Sequence, residues 1–342
     1  MWNCIKSAIQ GKSHIFDNTP CQDKVFSLNY KDSCIVSLAD GAGSAKYSHL
    51  GAEAVTKYVC QNMEHNFEQY FNEENGLVIK QLLINNIQQL LQSIAESNKC
   101  KINDLASTLL MVAIKNDNFI IIHIGDGVIG YLSNNELKVA SKPNNGEFVN
   151  TTVFTTSENV LDSIKLIKGS INNITGFVLM SDGTESSLYQ KKENKLAPAI
   201  KSIMKYMNLL TLEKVQEQLN QSMENIIGNN TNDDCSIVII VNEDFEGFNK
   251  LSDTEKCTLL QIKKQNCKQL SRFDFILNFL QQERTLKEIS VSVRLKQKFT
   301  QKKYINKLLD LNLIEKHGNR YKTILIMDKL LIKKEKTNDF KK

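Results

Sequence analysis

At 342 residues the chain exceeds the usual size of one hydrophobic core, so a main domain with a smaller appendage is expected. With 41% hydrophobic and 24% charged residues, no apolar run near the roughly 18–20 residues of a membrane span and no signal-like start at Met1-Trp2-Asn3-Cys4, the expectation is a cytoplasmic protein with no membrane partner. The formal charge of +5 hides an asymmetry: from residue 246 on there are 23 Lys and Arg against 11 Asp and Glu, about +12, which leaves about −7 upstream.

In chain order, the first strand signal is residues 34–39, followed after a glycine-rich turn by helical periodicity over 49–71 and 77–97. Short runs rich in β-branched residues at 108–114, 119–124, 128–132 and 177–181 read as further strands, with Asn116-Asp117 as a hairpin turn. A helix over 212–227 stops at Gly228-Asn229-Asn230, and the strand 236–241 closes the unit. Strands and helices in separate layers predict an α+β domain over residues 1–245.

Residues 246–270 are weakly periodic and read as a linker. Over 271–332, helices at 273–281, 285–295 and 300–311 precede a hairpin turning at His317-Gly318-Asn319, and 333–342 reads as a basic tail. Three helices followed by a hairpin is the order of a small winged-helix-like module. Lys296, Lys298, Lys302, Lys303 and Lys307 surround its third helix, a charge that could meet nucleic-acid phosphates or remain a solvated face.

Acidic residues recur at strand ends: Asp40-Gly41, Asp126-Gly127, Asp182-Gly183 and Asp233-Asp234, with Asp23 after Gln22. One Asp-Gly is an ordinary turn; several at strand ends can converge their carboxylates on one cleft. Two carboxylates about 4 Å apart repel by roughly 4 kcal/mol at an effective dielectric near 20, so such a cluster must hold protons or bind cations. Hard oxygen donors favour magnesium or manganese, and without a side chain Gly41 lets its carbonyl approach a cation. The eight cysteines show no zinc-like spacing and none has an arginine six positions later, which argues against a cysteine-nucleophile phosphatase loop. His123, inside the apolar run 119–124, reads as an interior histidine.

The ordered set Gln22-Asp23, Ala39-Asp40-Gly41-Ala42-Gly43-Ser44, Ala106-Ser107-Thr108-Leu109, Ile124-Gly125-Asp126-Gly127, Met180-Ser181-Asp182-Gly183 and Asn232-Asp233-Asp234-Cys235-Ser236 resembles the type 2C metal-dependent serine/threonine protein phosphatases, particularly their divergent bacterial branch. The resemblance implies a four-layer α-β-β-α sandwich of two antiparallel sheets flanked by helices. It implies hydrolysis of phosphoserine and phosphothreonine by metal-activated water at a centre of two manganese or magnesium ions, with a third, weaker ion. It also implies a phosphoprotein substrate and a cognate serine/threonine kinase.

Carried over, Asp40 bridges two ions, the Gly41 carbonyl binds one of them, Asp182 and Asp233 hold the other, Asp126 serves the third site and Asp23 supports the second ion. Asp234 stands where the family often has asparagine and is expected behind the ligands. The chain departs from the family at Ala42, where eukaryotic members have an acid histidine, and at Asn18, where many have a phosphate-binding arginine. His14 is a candidate phosphate or proton partner, Lys46 a lesser one, and residues 147–156 resemble the segment flanking the cleft. The competing readings are a non-catalytic phosphatase-fold sensor or DNA-binding regulator acting through the basic module, and a metal hydrolase of small phosphate esters.

Overall fold

A computed structural model describes residues 1–30, 32–143, 152–242, 247–263 and 267–328. The expected basic tail at 333–342 and residues 147–151 of the 147–156 segment lie outside these residues. The chain divides into two compact units, Met1–Met204 with Leu212–Glu243, and Lys205–Thr211 with Asp244–Lys342.

The strands of the first unit are β1 (Trp2–Ile9), β2 (Lys24–Asn29), β3 (Ser33–Ala39), β4 (Leu109–Lys115), β5 (Asn118–Ile124), β6 (Val128–Ser133), β7 (Glu136–Ser141), β8 (Lys165–Ser170), β9 (Ile174–Met180), the short pair β10 (Tyr189–Gln190) and β11 (Lys195–Leu196), and β12 (Cys235–Asn242). They build two five-stranded sheets in the orders β1-β12-β9-β6-β7 and β2-β3-β4-β5-β8, every pairing antiparallel.

Alternation along the central strands explains the stacking. On β3 and β4, Cys34, Val36, Leu38, Leu110, Val112 and Ile114 point into the core between the sheets, where they meet Ile129, Phe177, Leu179, Val238 and Ile240 of the opposite sheet. Their neighbours Ile35, Leu109, Met111 and Ala113 face the other way, onto helices. Strands buried on both faces must be apolar throughout, which is why these segments read as continuous hydrophobic runs. Phe177 anchors the inner core, with ring centroids 5.5 Å from Phe119, 6.3 Å from Trp2 and 6.4 Å from Tyr131. Its removal would cost about 3–5 kcal/mol.

The first unit's helices begin with the single turn α1 (Lys12–Phe16), α2 (Ser48–Asn72) and α3 (Gly76–Asn98). On α2, Ala52, Val55, Val59, Met63, Phe67 and Tyr70 recur every three to four residues and are all buried against the second sheet. The Asn75 side chain caps α3 by accepting the Leu77 N–H at 3.1 Å, and Lys99 ends it with φ 53. Next come the turn α4 (Val160–Ser163), then α5 (Asp182–Leu188), α6 (Pro198–Leu209), of which residues 198–204 belong to this unit, and α7 (Leu212–Ser222). The latter packs on β1, where the Gln216 side chain brackets Lys6, accepting from its N–H at 3.0 Å and donating to its carbonyl at 2.8 Å. The expected helix 212–227 therefore forms, its last turn widened into a π turn over Met223–Ile227.

The second unit draws on two stretches of the chain. Residues 205–211 belong to it because their backbone pairs within it: Leu210 bridges Leu325, and Ile326 N–H donates to the Leu209 carbonyl at 2.7 Å. The expected linker carries the helix α8 (Asp253–Leu259), started by a reciprocal cap between Ser252 and Glu255. Beyond it lie α9 (Cys267–Phe279), β13 (Arg284–Thr285), α10 (Leu286–Ser292), α11 (Gln297–Thr300), which passes through a π turn into α12 (Asn306–Asp310), and the hairpin β14 (Ile314–His317) and β15 (Arg320–Thr323). The sheet order is β13-β15-β14, and the core gathers Phe273, Ile276, Ile289, Tyr304, Ile305 and Leu308, with the Phe273 and Tyr304 rings edge to face at 5.0 Å.

Candidate active site

Five elements of the first unit end at one place. Strand β3 delivers Asp40, which is clamped to the segment before β4: Asp40 N–H donates to Thr108 Oγ1 at 2.9 Å, Thr108 N–H returns to the Asp40 carbonyl at 2.8 Å, and Ala42 N–H donates to the Ala106 carbonyl at 2.9 Å. Gly41 has no room for a side chain, since a Cβ there would sit 2.8 Å from Ser48 Cβ and 3.0 Å from Gln22 Cβ. Strand β9 delivers Asp182 as the first residue of α5. The end of β9 is tied to β12 by Ser236 N–H donating to Ser181 Oγ at 2.9 Å and Ser181 N–H donating to the Ser236 carbonyl at 3.1 Å. Gly183 lets α5 close on Asp234, whose carbonyl would lie 2.1 Å from any Cβ.

Asp126 follows β5 across Gly125, whose φ of 105 suits only glycine, and its Oδ2 accepts from Thr152 Oγ1 at 2.5 Å. Asp233 is exposed just before β12. Asp23 is 1% exposed, and neither carboxyl oxygen has a hydrogen-bond partner among the described residues.

The carboxylates feel one another. Burial, then the charges of Asp23 and Asp182, a hydrogen bond to Asp182 and the charge of Asp126 hold Asp40 well above the usual carboxylate range. Burial also raises Asp182; the hydrogen bond from Asp40 draws it back, and Asp126 and Asp233 push it further up. Asp23 is pushed up to about 7 by burial, against the Ser236 and Ser181 hydroxyls, with Asp234 and Asp182 adding to the rise. The structure thus brings Asp23, Asp40, Asp126, Asp182 and Asp233 into one electrostatic neighbourhood.

His14 does not join it. Its Nδ1 lies 2.9 Å from Asp234 Oδ1, and Asp234 also accepts the N–H groups of Gly11 at 2.6 Å and Gln22 at 2.5 Å. Asp234 therefore fastens the N-terminal loop beneath Asp233. Lys46 is exposed, its amine 5.0 Å over the Tyr47 ring. Ala42 is buried with Ala45 and Ala106 against Phe154. His123 is an interior residue, bonded to Ser141 Oγ at 2.6 Å and the Gly125 carbonyl at 3.0 Å, and burial lowers it to about 3. Cys21 and Cys235 lie near the acidic groups, but burial pushes each thiol up to about 12, which leaves them neutral and poor nucleophiles.

One acidic residue at this site escaped the sequence reading. Glu185, the third residue after Asp182 on α5, is 1% exposed; Oε1 pairs with Lys191, and Oε2 has no hydrogen-bond partner among the described residues. The signal was present, an acidic residue at i+3 from a strand-end aspartate on a helix, the spacing that shares one face.

Among the described residues, no group of three His, Cys, Asp or Glu side chains forms a ready metal cluster. The donor set nevertheless suits hydrated hard cations. Both oxygens of Asp23, Asp182 Oδ1, Glu185 Oε2, Gln22 Oε1 and Ser48 Oγ are buried without hydrogen-bond partners among the described residues. Magnesium retains several waters and takes only one or two carboxylates directly, so a pre-formed cage of three is not required.

The two-sheet fold matches solved phosphatases. A bacterial serine phosphatase aligns with a TM-score of 0.51 at 17% identity, covering 70% of this chain and 98% of that one. The serine/threonine phosphatase Stp1 from Staphylococcus aureus aligns with a TM-score of 0.50 at 18% identity, covering 71% and 96%. In sequence, the chain is 27% identical over 227 residues to serine/threonine-protein phosphatase 3 of Escherichia coli (strain K12), covering 64% of this chain and 86% of that protein. Residues 10–224 match the protein phosphatase 2C family, and the chain belongs to it. It is a phosphoprotein phosphatase of the serine/threonine type, from a family whose members depend on metal ions.

Proposed function

We propose that the chain hydrolyses phosphoserine and phosphothreonine at the carboxylate cluster, with Asp40, Asp182 and Asp233 as principal ligands of two manganese or magnesium ions, the Gly41 carbonyl and Asp23 supporting them, and Asp126 serving a third. The observation that carries this reading is the convergence of Asp40 and Asp182 from strand ends in opposite sheets, both raised by burial among neighbouring carboxylates. Two such groups can share a proton in the absence of cations and release it to bind them. When bound, divalent cations supply an activated water near neutral pH and offset charge on the phosphoryl oxygens.

The chain's own residues do the positioning. Thr108 fixes the backbone of Asp40, Ser181 and Ser236 lock the strand ends behind Asp182, and Asp234 holds the loop under Asp233. Thr152 steadies Asp126 from the cleft-flanking segment. With Ala42 in an apolar pocket, no side chain at that position protonates the leaving group.

The substrates are cytoplasmic phosphoproteins supplied by a serine/threonine kinase. The C-terminal unit is a winged-helix-like regulatory module, supported by its order of helices, short strand and hairpin in a three-stranded sheet. Part of its basic charge is engaged within the unit: Lys307 donates to the Gln261 carbonyl at 2.8 Å and Lys303 lies 5.3 Å over Phe299. Calorimetric titration with manganese tests the ligand assignment. The full-length wild type should bind and Asp40→Asn should bind at least about tenfold more weakly; equal affinities would remove Asp40 from the ligand set.

A further inference from the structure

A phosphorylated side chain carries close to two negative charges, and it must approach a site already crowded with carboxylates. Bound cations meet part of that charge, and the remainder calls for a protein cation at the mouth of the site. Asn18, where the chain carries no charge, sits on a turn at φ 54. His14 is committed to Asp234, and Lys46 to the Tyr47 ring. Among the described residues, the lysine that does pair with a carboxylate of this neighbourhood is Lys191.

Its setting is built rather than incidental. Lys191 follows directly on β10, in the turn that joins β10 to β11, where Gln190 pairs with Lys195 and Tyr189 pairs with Leu196. The turn is braced by Tyr189 Oη donating to Asn194 Oδ1 at 2.8 Å, by Glu193 N–H donating to the Gln190 carbonyl at 3.2 Å, and by Ala197 N–H reaching back to the Leu188 carbonyl at the end of α5 at 2.8 Å. From this turn the amine reaches Glu185 Oε1. The glutamate side chain is 2% exposed and the lysine side chain 67%, so the pair has a buried anchor and a solvent-facing cation. Glu185 in turn lies within the electrostatic reach of Asp182 and Asp126, which also stabilise the charged amine.

We propose that Lys191, anchored on the buried Glu185, binds the phosphoryl oxygens of the incoming phosphoserine or phosphothreonine. An ammonium has three donors; one is spent on Glu185, and the exposed remainder of the group is free to meet a phosphate. Without the anchor, a lysine in an exposed turn would sample many rotamers and contribute little to binding. Glu185 is accordingly a positioning residue and Lys191 a substrate-binding one. The proposal rests on the reading of the carboxylate cluster as the phosphate-processing centre.

The test compares full-length wild type, Lys191→Met, Lys191→Arg and the double variant Glu185→Gln with Lys191→Met, each loaded with manganese. Inorganic phosphate is titrated in by calorimetry, and kcat and KM are measured on a phosphothreonine peptide. The double variant leaves no unpaired carboxylate at position 185, so it stays informative if Lys191→Met folds poorly. Expected are about tenfold weaker phosphate binding and a KM raised by a similar factor in Lys191→Met and the double variant, kcat within about twofold of wild type, and recovery in Lys191→Arg. Phosphate affinity and KM equal to wild type in the double variant would overturn the role of Lys191 while leaving the cluster reading intact. A manganese-loaded wild type that binds no phosphate would overturn both.

Discussion

Asp40 and Asp182 stand at the ends of strands in different sheets, and each lies within the electrostatic reach of the other. Two carboxylates so placed are a cost to the metal-free fold, since at about 4 Å they repel by roughly 4 kcal/mol at an effective dielectric near 20 unless a proton or a cation intervenes. Asp40→Asn and Asp182→Asn should therefore lower kcat/KM by more than about 100-fold, yet leave thermal unfolding in chelator unchanged or raised. A marked drop in metal-free melting temperature would instead assign these residues to holding the turn.

Asp23 gives a pH signature. Its carboxyl titrates near 7 in the folded state against 3.8 as the ordinary value, so the folded chain keeps a proton that the unfolded chain has released. Stability from this group is lost as pH rises from about 4 through 7. His123 acts in the opposite sense: with a folded value near 3 against 6.5, it makes the unfolded chain bind the extra proton and weakens the fold as pH falls below 6.5. Since the two windows overlap, the informative quantity is a difference. In chelator, the stability gained by Asp23→Asn over wild type should grow from pH 4 to pH 8; a gain independent of pH would contradict the raised carboxyl.

Adjacent residues should separate stability from activity. Asp234 is 2% exposed and satisfies the N–H groups of Gly11 and Gln22, whereas Asp233 is exposed and accepts only from the Asp234 N–H at 2.9 Å among the described residues. Asp234→Ala leaves two buried donors unpaired and should cost about 2–4 kcal/mol in denaturant unfolding. Asp233→Ala should change stability by less than about 1 kcal/mol while reducing manganese affinity and turnover. Equal destabilisation by both would remove the distinction.

Gly183 reports on the same junction. The Asp234 carbonyl that a Cβ would meet at 2.1 Å is backbone and has no flexible end to move aside. Gly183→Ala should therefore push α5 away from β12, cost about 1–3 kcal/mol and reduce activity through misplacement of Asp182. Unfolding curves and kcat on p-nitrophenyl phosphate measure the two effects.

What could be read from the sequence divides by burial. Strands β3, β4, β5, β6, β9 and β12 were all visible, because strands covered on both sides must be apolar. Strands β1, β2, β7 and β8 were missed, and they are the four edges of the two five-stranded sheets. There Lys6, Lys24, Lys138 and Lys165 interrupt the hydrophobic pattern, as suits strands that must not pair with another chain. Asp40, Asp126 and Asp182 stood out because each follows a central strand, and Asp233 because it leads into one. Glu185 and Lys191 did not, since their pairing depends on how a short helix and a hairpin turn fold back together. The return of residues 205–211 to the C-terminal unit was illegible for the same reason: a backbone bridge between Leu210 and Leu325 leaves no local trace.

The most direct test is phosphate release from a phosphothreonine peptide by the full-length chain, measured with manganese, after chelation and after manganese is restored, for wild type and Asp182→Asn. The account predicts activity in wild type that disappears on chelation, returns with the metal, and stays absent in Asp182→Asn. Turnover that persists through chelation, or that survives undiminished in Asp182→Asn, would contradict it.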